Sequence, residues 1–138
     1  MKKVISLKDA MDKLSDGMTI MIGGFLGVGT PEIFIDEISK RNFKNLTIIS
    51  NDTSFEDKGI GRLIASKQVK KVITSHIGTN PQTGIQMHSG DLEVELVPQG
   101  TLAERIRSAG MGLGGVLTPT GVGTLVEEGK KKIEVDGI

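Results

Sequence analysis

Residues 23–31 read Gly23-Gly24-Phe25-Leu26-Gly27-Val28-Gly29-Thr30-Pro31, a glycine-rich turn between an apolar run and an amphipathic one. The preceding run, from Met18 to Ile22, predicts a short buried strand. Pro31 to Arg41 predicts a helix, with Thr30 as its N-cap and Pro31 at its first position. Such a turn leaves backbone N–H groups unpaired at the positive end of a helix, where they can hold a phosphate or a developing oxyanion. The segment therefore predicts an enzyme, or a part of one, that acts beside this loop.

The composition of the 138 residues is that of a globular protein, with 37% hydrophobic and 25% charged residues. The length predicts one domain, residues 1–138. Basic and acidic residues number 17 each, so the chain lacks the positive charge typical of nucleic-acid binders. It has no cysteine, which excludes disulfides, thiolate metal sites and cysteine nucleophiles. No apolar run approaches the ~20 residues that span a bilayer and no signal peptide is evident, so we expect a cytoplasmic protein without membrane contact.

Strand patterns alternate with helix patterns along the chain. Strands are predicted at residues 18–22, 46–50, 72–75 and 93–97. Helices are predicted from a cap at Ser6 to near Gly17, at 31–41, at 60–66, and after a capping box formed by Thr101 and Glu104. This alternation predicts an α/β fold, an open and mostly parallel sheet with helices on both faces.

Polar and glycine residues follow the predicted strands. Gly23-Gly24, Asn51-Asp52, residues 76–80 and Gln99 come just after the four strand patterns. In parallel sheets, ligands bind at the carboxyl ends of the strands. We therefore expect a ligand site at this edge of the sheet.

The C-terminal residues predict one arm of a β-hairpin. Ile133 and Val135 alternate with polar residues and lead into the turn pair Asp136-Gly137. The return arm would follow residue 138, so we expect a chain that is cut near its C-terminus.

Several segments, in order, resemble those of one enzyme family. Residues 16–31 resemble closely the signature that opens the first subunit of family I coenzyme A transferases. Further similar segments lie at residues 50–52, 59–61, 75–80, 98–107 and 118–124. Together they span nearly the whole chain, which is most similar to the alpha subunits of bacterial enzymes acting on acetate, butyrate and acetoacetate.

The resemblance implies exchange of coenzyme A between an acyl-CoA and a free short-chain carboxylate. In this family a glutamate attacks the thioester and a glutamyl-CoA thioester forms. That glutamate belongs to a beta subunit, within a Ser-Glu-Asn-Gly motif that this sequence lacks. We therefore expect the chain to be inactive alone and to work with a beta subunit, as an alpha2beta2 heterotetramer.

The resemblance also assigns site residues. Backbone N–H groups of Gly23, Gly24, Phe25, Leu26, Gly27, Val28 and Gly29 would approach the coenzyme A and the reacting thioester. Asn51, Asn80 and Gln99 would line the carboxylate pocket by hydrogen bonding. No catalytic residue, metal or covalently bound cofactor is expected in this chain, and the coenzyme A thioester is a substrate.

Other functions remain open for the same residues. The loop could be a tight turn without a ligand, or a dinucleotide site, although its glycines do not follow the G-x-G-x-x-G order. A non-catalytic domain that binds a small phosphorylated effector and a sugar-phosphate isomerase are the rival classes. The isomerase would need an acid/base pair that is not evident here.

Individual polar residues also have structural interpretations. Asn51 and Gln99 could be ordinary turn and loop residues, and His76 is more typical of a strand end than of a catalyst. His88 is placed in a polar loop, and two histidines without cysteine form a poor metal set. Glu32 and Glu104 are most simply interpreted as partners of helix dipoles. Arg105 and Arg107 are most simply interpreted as part of a solvated helix face.

Overall fold

In the computed structural model, which describes residues 4–137, four strands form one sheet in the order β1-β2-β3-β4. The strands are β1 (Thr19–Met21), β2 (Leu46–Ile49), β3 (Val69–Thr74) and β4 (Glu93–Leu96). β1 pairs in parallel with β2, and β2 in parallel with β3. The pairing of Leu46 with Val69 is followed by that of Thr47 with Lys71, so Lys70 is an extra residue that bulges from the ladder.

Helices alternate with the strands as the sequence predicts. They are α1 (Leu7–Met11), α2 (Glu32–Arg41), α3 (Gly61–Ala65), α4 (Pro81–Ser89) and α5 (Gln99–Gly110). The α/β class and the parallel sheet are confirmed. None of the helices among residues 4–137 is long and apolar enough to cross a membrane.

The helices between successive strands pack on one face of the sheet. Each strand pairs with the next one along the chain, and right-handed crossovers of that order place every connecting helix on the same side. One apolar core accordingly joins residues of α1, α2 and α3 to alternate residues of β2 and β3: Met11, Ile35, Ile38, Leu63, Ile64, Leu46, Ile48 and Val72. In residues 4–95 the helices therefore form one layer, whereas the sequence predicted helices on both faces.

The opposite face of the sheet is more polar. Lys71 of β3 forms ion pairs there with Glu93 and Glu95 of β4. Hydrogen bonding by Glu93 raises the pKa of Lys71 above its ordinary value. Met21 of β1 also lies on this face and is 54% exposed.

The first helix ends earlier than predicted, and the second begins later. Ser6 caps α1 as predicted, since its hydroxyl accepts the Asp9 N–H, but α1 ends at Met11, well before Gly17. α2 begins at Glu32 with Pro31 in the cap position and no side-chain cap bond. The prediction of Thr30 as N-cap is therefore wrong.

Two later helices show what local patterns miss. α4 was not predicted, and it begins where Asn80 accepts the Gln82 N–H as an N-cap and Pro81 takes the first position. α5 begins at Gln99, two residues before the predicted cap at Thr101. Because Thr101 lies inside the helix and its hydroxyl is buried without a partner, the predicted capping box with Glu104 is wrong.

The chain divides into two compact units at Glu95 and Leu96, where the sequence predicted one domain. The first unit holds α1 to α4, the sheet as far as Glu95 and the apolar core. The second holds α5 and a largely irregular segment with one 3-10 turn, Leu125–Glu127. Residues 133–135 form no strand, but Asp136 and Gly137, the predicted turn pair, both have positive φ, at 51° and 80°, as the central residues of a type I′ turn do.

Candidate functional site

The glycine-rich loop after β1 is a miniature hairpin. Phe25 and Val28 exchange two backbone hydrogen bonds of 2.9 Å each. Between them, Leu26 has φ 50° and Gly27 has φ 81°, the two left-handed residues of a type I′ turn. The paired residues are exposed, Phe25 at 63% and Val28 at 79%, whereas Leu26 and Gly27 at the tip are half-buried.

The hairpin divides the loop N–H groups into two sets. Those of Phe25, Leu26 and Val28 are already engaged in hydrogen bonds within the protein. Within residues 4–137, no group accepts a hydrogen bond from the N–H of Gly23, Gly24, Gly27 or Gly29. Gly23 and Gly29 are exposed, and Gly24 and Gly27 are half-buried. These four glycines are the donors that the loop can offer to a ligand.

Gly24 is required by the close approach of Thr30. Its φ of 132° is a conformation that other residues rarely adopt, and a Cβ atom there would overlap the Thr30 hydroxyl. The Thr30 side chain thus packs against the loop and does not cap α2. The start of α2 and the end of β1 are held together by this contact.

Two side chains that follow β2 fasten the loop. Asn51 donates from Nδ2 to the Gly24 carbonyl at 2.7 Å. Asp52 accepts the Leu26 N–H at 2.9 Å through Oδ2 and the Ser54 N–H at 2.6 Å through Oδ1. Asp52 is only 4% exposed, so its carboxylate is buried under the loop. Asn51 was predicted to contact substrate, and here its amide contacts the loop backbone.

The carboxyl ends of β1, β2 and β3 meet at one edge, as predicted. Ser75, after β3, donates its N–H and its hydroxyl to the Asn51 carbonyl, at 3.0 and 2.6 Å. His76 pairs with Asp52 across the same gap, and its ring lies against Gly78, where a Cβ would be 3.0 Å from Nε2. These bonds make the three strand ends one connected structure.

Asn80 lies beneath this edge and does not open onto it. It is 1% exposed, its Nδ2 donates to the Thr53 carbonyl at 3.0 Å, and its Oδ1 accepts the Gln82 N–H at 3.1 Å. Both ends of the amide therefore position backbone. Asn80 is thus buried and its amide is engaged by backbone groups in this structure, and its place in the carboxylate pocket stays a prediction.

Glu32 and Arg62 connect the start of α2 to α3. Glu32 accepts the Gly59 N–H at 3.0 Å and an Arg62 N–H at 2.9 Å. Arg62 also forms an ion pair with Asp36 at 2.7 Å. Glu32 was interpreted as a dipole partner; it also ties together two segments that border the loop.

Two further residues considered from the sequence are Gln99 and His88. Gln99 is the exposed first residue of α5 in the second unit. His88 lies on α4, where Nδ1 is 2.7 Å from the Gly84 carbonyl, and not in a loop. No group of three metal-ligating side chains is present in the described part of the chain.

Sequence reasoning placed Asp52 at the strand end but gave it no role. The signal was its position directly after Asn51, with Ser54 two residues on, a spacing that favours a side-chain turn. Its bond to Leu26, 26 residues earlier, depends on how the strands pair and is not encoded locally.

Curated relatives match almost all of the chain. It is 57% identical over 135 residues to the acetate CoA-transferase subunit alpha of Escherichia coli K12, and 59% identical over 135 residues to the acetoacetyl-CoA:acetate/butyrate CoA transferase alpha subunit of Clostridium acetobutylicum. Each alignment covers 98% of this chain, but only 61% and 62% of those proteins. The chain thus spans about three fifths of the length of these relatives.

Solved structures show the same fold. An acyl-CoA transferase from Escherichia coli O157:H7, solved as a thioester complex with CoA, superposes with a TM-score of 0.74 at 24% identity. The match covers 97% of this chain and 30% of that one. Its apoenzyme gives a TM-score of 0.75.

Residues 4–138 match the family described as coenzyme A transferase. The match covers the strand ends and the glycine loop as well as α5. This match and the two relatives, 57% and 59% identical over 135 residues, show that the chain belongs to the coenzyme A transferase family.

Proposed function

We propose that this chain is the alpha part of a short-chain acyl-CoA:carboxylate CoA-transferase. Its substrates would be acetyl-CoA or butyryl-CoA together with acetoacetate or acetate. The names of the Escherichia coli and Clostridium relatives support this substrate class. A beta subunit in an alpha2beta2 assembly is the proposed partner, and the cytoplasmic location stays a prediction from the sequence.

The observation that carries the proposal is the set of four unpaired glycine N–H groups at the end of β1. When a nucleophile attacks a thioester, the carbonyl oxygen becomes negative, and fixed N–H donors stabilise that charge. One such donor contributes roughly 3–4 kcal/mol to the transition state. Glycine suits the position because a side chain would hinder approach of the thioester.

The nucleophile is proposed to come from the beta subunit. Its glutamate carboxylate would attack the thioester carbon, and the C–S bond would break to release the coenzyme A thiolate. The thiolate would then attack the glutamyl carbonyl, forming a glutamyl-CoA thioester and releasing the first carboxylate. The acceptor carboxylate would reverse these steps.

Two of the three residues predicted for the carboxylate pocket, Asn51 and Asn80, donate hydrogen bonds to backbone carbonyl groups. We propose that Asn51 acts through the loop, since its Nδ2 holds the Gly24 carbonyl. Asn80 is buried, so we propose that it also supports the start of α4. Gln99 is exposed and remains a proposed pocket residue.

The experiment is a transfer assay from acetyl-CoA to acetoacetate, with the chain alone and after co-expression with a candidate beta subunit. We expect transfer only by the co-purified pair. Transfer by the chain alone would contradict a donated glutamate. A co-purified pair that binds coenzyme A without transfer would favour the non-catalytic effector domain.

A further inference from the structure

We infer that Asp52 is a positioning residue for the transfer reaction, acting through the Leu26 N–H on the conformation of the glycine loop. The inference rests on the proposed function of that loop. Asp52 touches no reacting atom in this account. Its carboxylate fixes where the four unpaired glycine N–H groups lie.

The loop needs an external restraint because it contains an unfavourable residue. Leu26 has φ 50°, a left-handed conformation that disfavours residues with a Cβ and persists only where the surroundings impose it. The hydrogen bond from the Leu26 N–H to Asp52 Oδ2, at 2.9 Å, is the side-chain restraint on that residue. Without it, the turn can relax and carry the N–H groups of Gly24 and Gly27 with it.

The Asp52 carboxylate can restrain the loop because it is itself held in place. It is buried, and its other oxygen accepts the Ser54 N–H at 2.6 Å. No ion pair to Asp52 is found in residues 4–137, and its hydrogen-bond donors there are the backbone N–H groups of Leu26 and Ser54. Both oxygens must accept, which a carboxylate can do and a carboxamide cannot.

Asp52→Asn tests the inference, because it keeps the shape and turns one acceptor into a donor. Asp16→Asn is the matched control: Asp16 accepts the Lys44 N–H at 2.9 Å at a surface position that precedes β1, whereas the loop follows the other end of that strand. Both variants are assayed as complexes with the beta subunit. We expect Asp52→Asn to lower kcat about 100-fold, with KM for the carboxylate changed less than threefold, and Asp16→Asn to leave both unchanged.

Amide hydrogen exchange of the same complexes provides a readout independent of turnover. In Asp52→Asn, exchange at Leu26 should rise at least tenfold while the amides of α4 keep their protection. An unchanged kcat, or an equal loss of protection in the loop and in α4, would overturn the inference. If the unmodified complex transfers no coenzyme A, the proposed function fails, whereas a selective loss of Leu26 protection would still establish the restraint.

Discussion

Gly61 lies where the backbone of α3 meets the turn after β2. A Cβ atom at this position would overlap the Phe55 carbonyl oxygen and lie 2.8 Å from Asn80 Nδ2. The carbonyl belongs to the main chain, so it cannot rotate away as a flexible side chain could. At the scale of single residues, this glycine is fixed by space and not by its φ angle.

We expect Gly61→Ala to lower the free energy of unfolding by about 3 kcal/mol, because the overlap forces the turn and α3 apart. Urea unfolding followed by circular dichroism measures this, since the sequence has neither Trp nor Tyr. Gly84→Ala is the control, because nothing lies within 4 Å of a Cβ there. It should be neutral or stabilise α4 by up to about 1 kcal/mol. Equal stability of the two variants would refute the steric account.

The sequence predicted which residues border the candidate site more accurately than it predicted what those residues contact. The glycine cluster and the positions of Asn51 and Asp52 could be predicted, because strand ends and turn residues are local patterns. Unpaired N–H groups in the loop were predicted, but which of them stay unpaired could not be, since that depends on the bond from Leu26 to Asp52 and on the pairing of Phe25 with Val28. Those contacts arise only once the strands have assembled.

Among the helices, α4 depends on its cap. Asn80→Ala would remove the acceptor for the Gln82 N–H and leave the Thr53 carbonyl without its donor. We expect a loss of about 2 kcal/mol in the free energy of unfolding. Asn80→Ser, which keeps a capping oxygen, should recover about half of that loss.

The same variants test the role of Asn80 in the complex. If Asn80 positions α4, the transfer rate per folded complex should stay unchanged in Asn80→Ser. A loss of transfer without a loss of stability would instead return Asn80 to the carboxylate pocket.

The contact of α1 with α2 predicts a pH dependence. Hydrogen bonds from Lys8 and from Arg41, both 2.6 Å long, lower the pKa of Asp12 below its ordinary value. A carboxyl with a lowered pKa stabilises the fold above its unfolded pKa and loses that contribution as pH falls through the folded value. Asp12→Asn should therefore lower the urea midpoint at neutral pH, and the difference should close as the pH falls below the ordinary Asp pKa, about 3.9, and through the lowered folded value.

Asp57→Asn is the control for this titration, since Asp57 is exposed and forms no ion pair among residues 4–137. Its urea midpoint should follow that of the unmodified protein at every pH. If the urea midpoints of Asp12→Asn and the unmodified protein differ by the same amount down to acid pH, the ion pairs of Asp12 do not stabilise the contact.

Helix boundaries illustrate why element prediction is uneven. The Ser6 cap was predicted correctly because its hydroxyl contacts the Asp9 N–H three residues away. The predicted cap at Thr30 failed because its side chain packs against Gly24. The predicted cap at Thr101 failed because α5 begins two residues earlier, at Gln99. A capping pattern predicts a helix end only where no longer-range contact competes for the side chain.

For the whole molecule, the alternation of strands and helices was enough to predict a parallel α/β sheet. The arrangement of its layers was not predictable from alternation, because the face that each helix covers depends on strand order. Here the order β1-β2-β3-β4 places α2, α3 and α4 on one side. The edge at which β1 to β3 end is the same in either arrangement, so the predicted position of the candidate site does not depend on how the layers are arranged.

The most direct test of the central claim, that the glycine N–H groups meet the reacting thioester, is transfer by Gly23→Ala in complex with the beta subunit. A Cβ at Gly23 meets nothing within 4 Å, and its φ needs no glycine, so the fold should be unaffected. We predict that kcat/KM falls about 100-fold, because the methyl group occupies space that the thioester needs. Gly84→Ala should transfer normally. Normal transfer by Gly23→Ala would contradict the account.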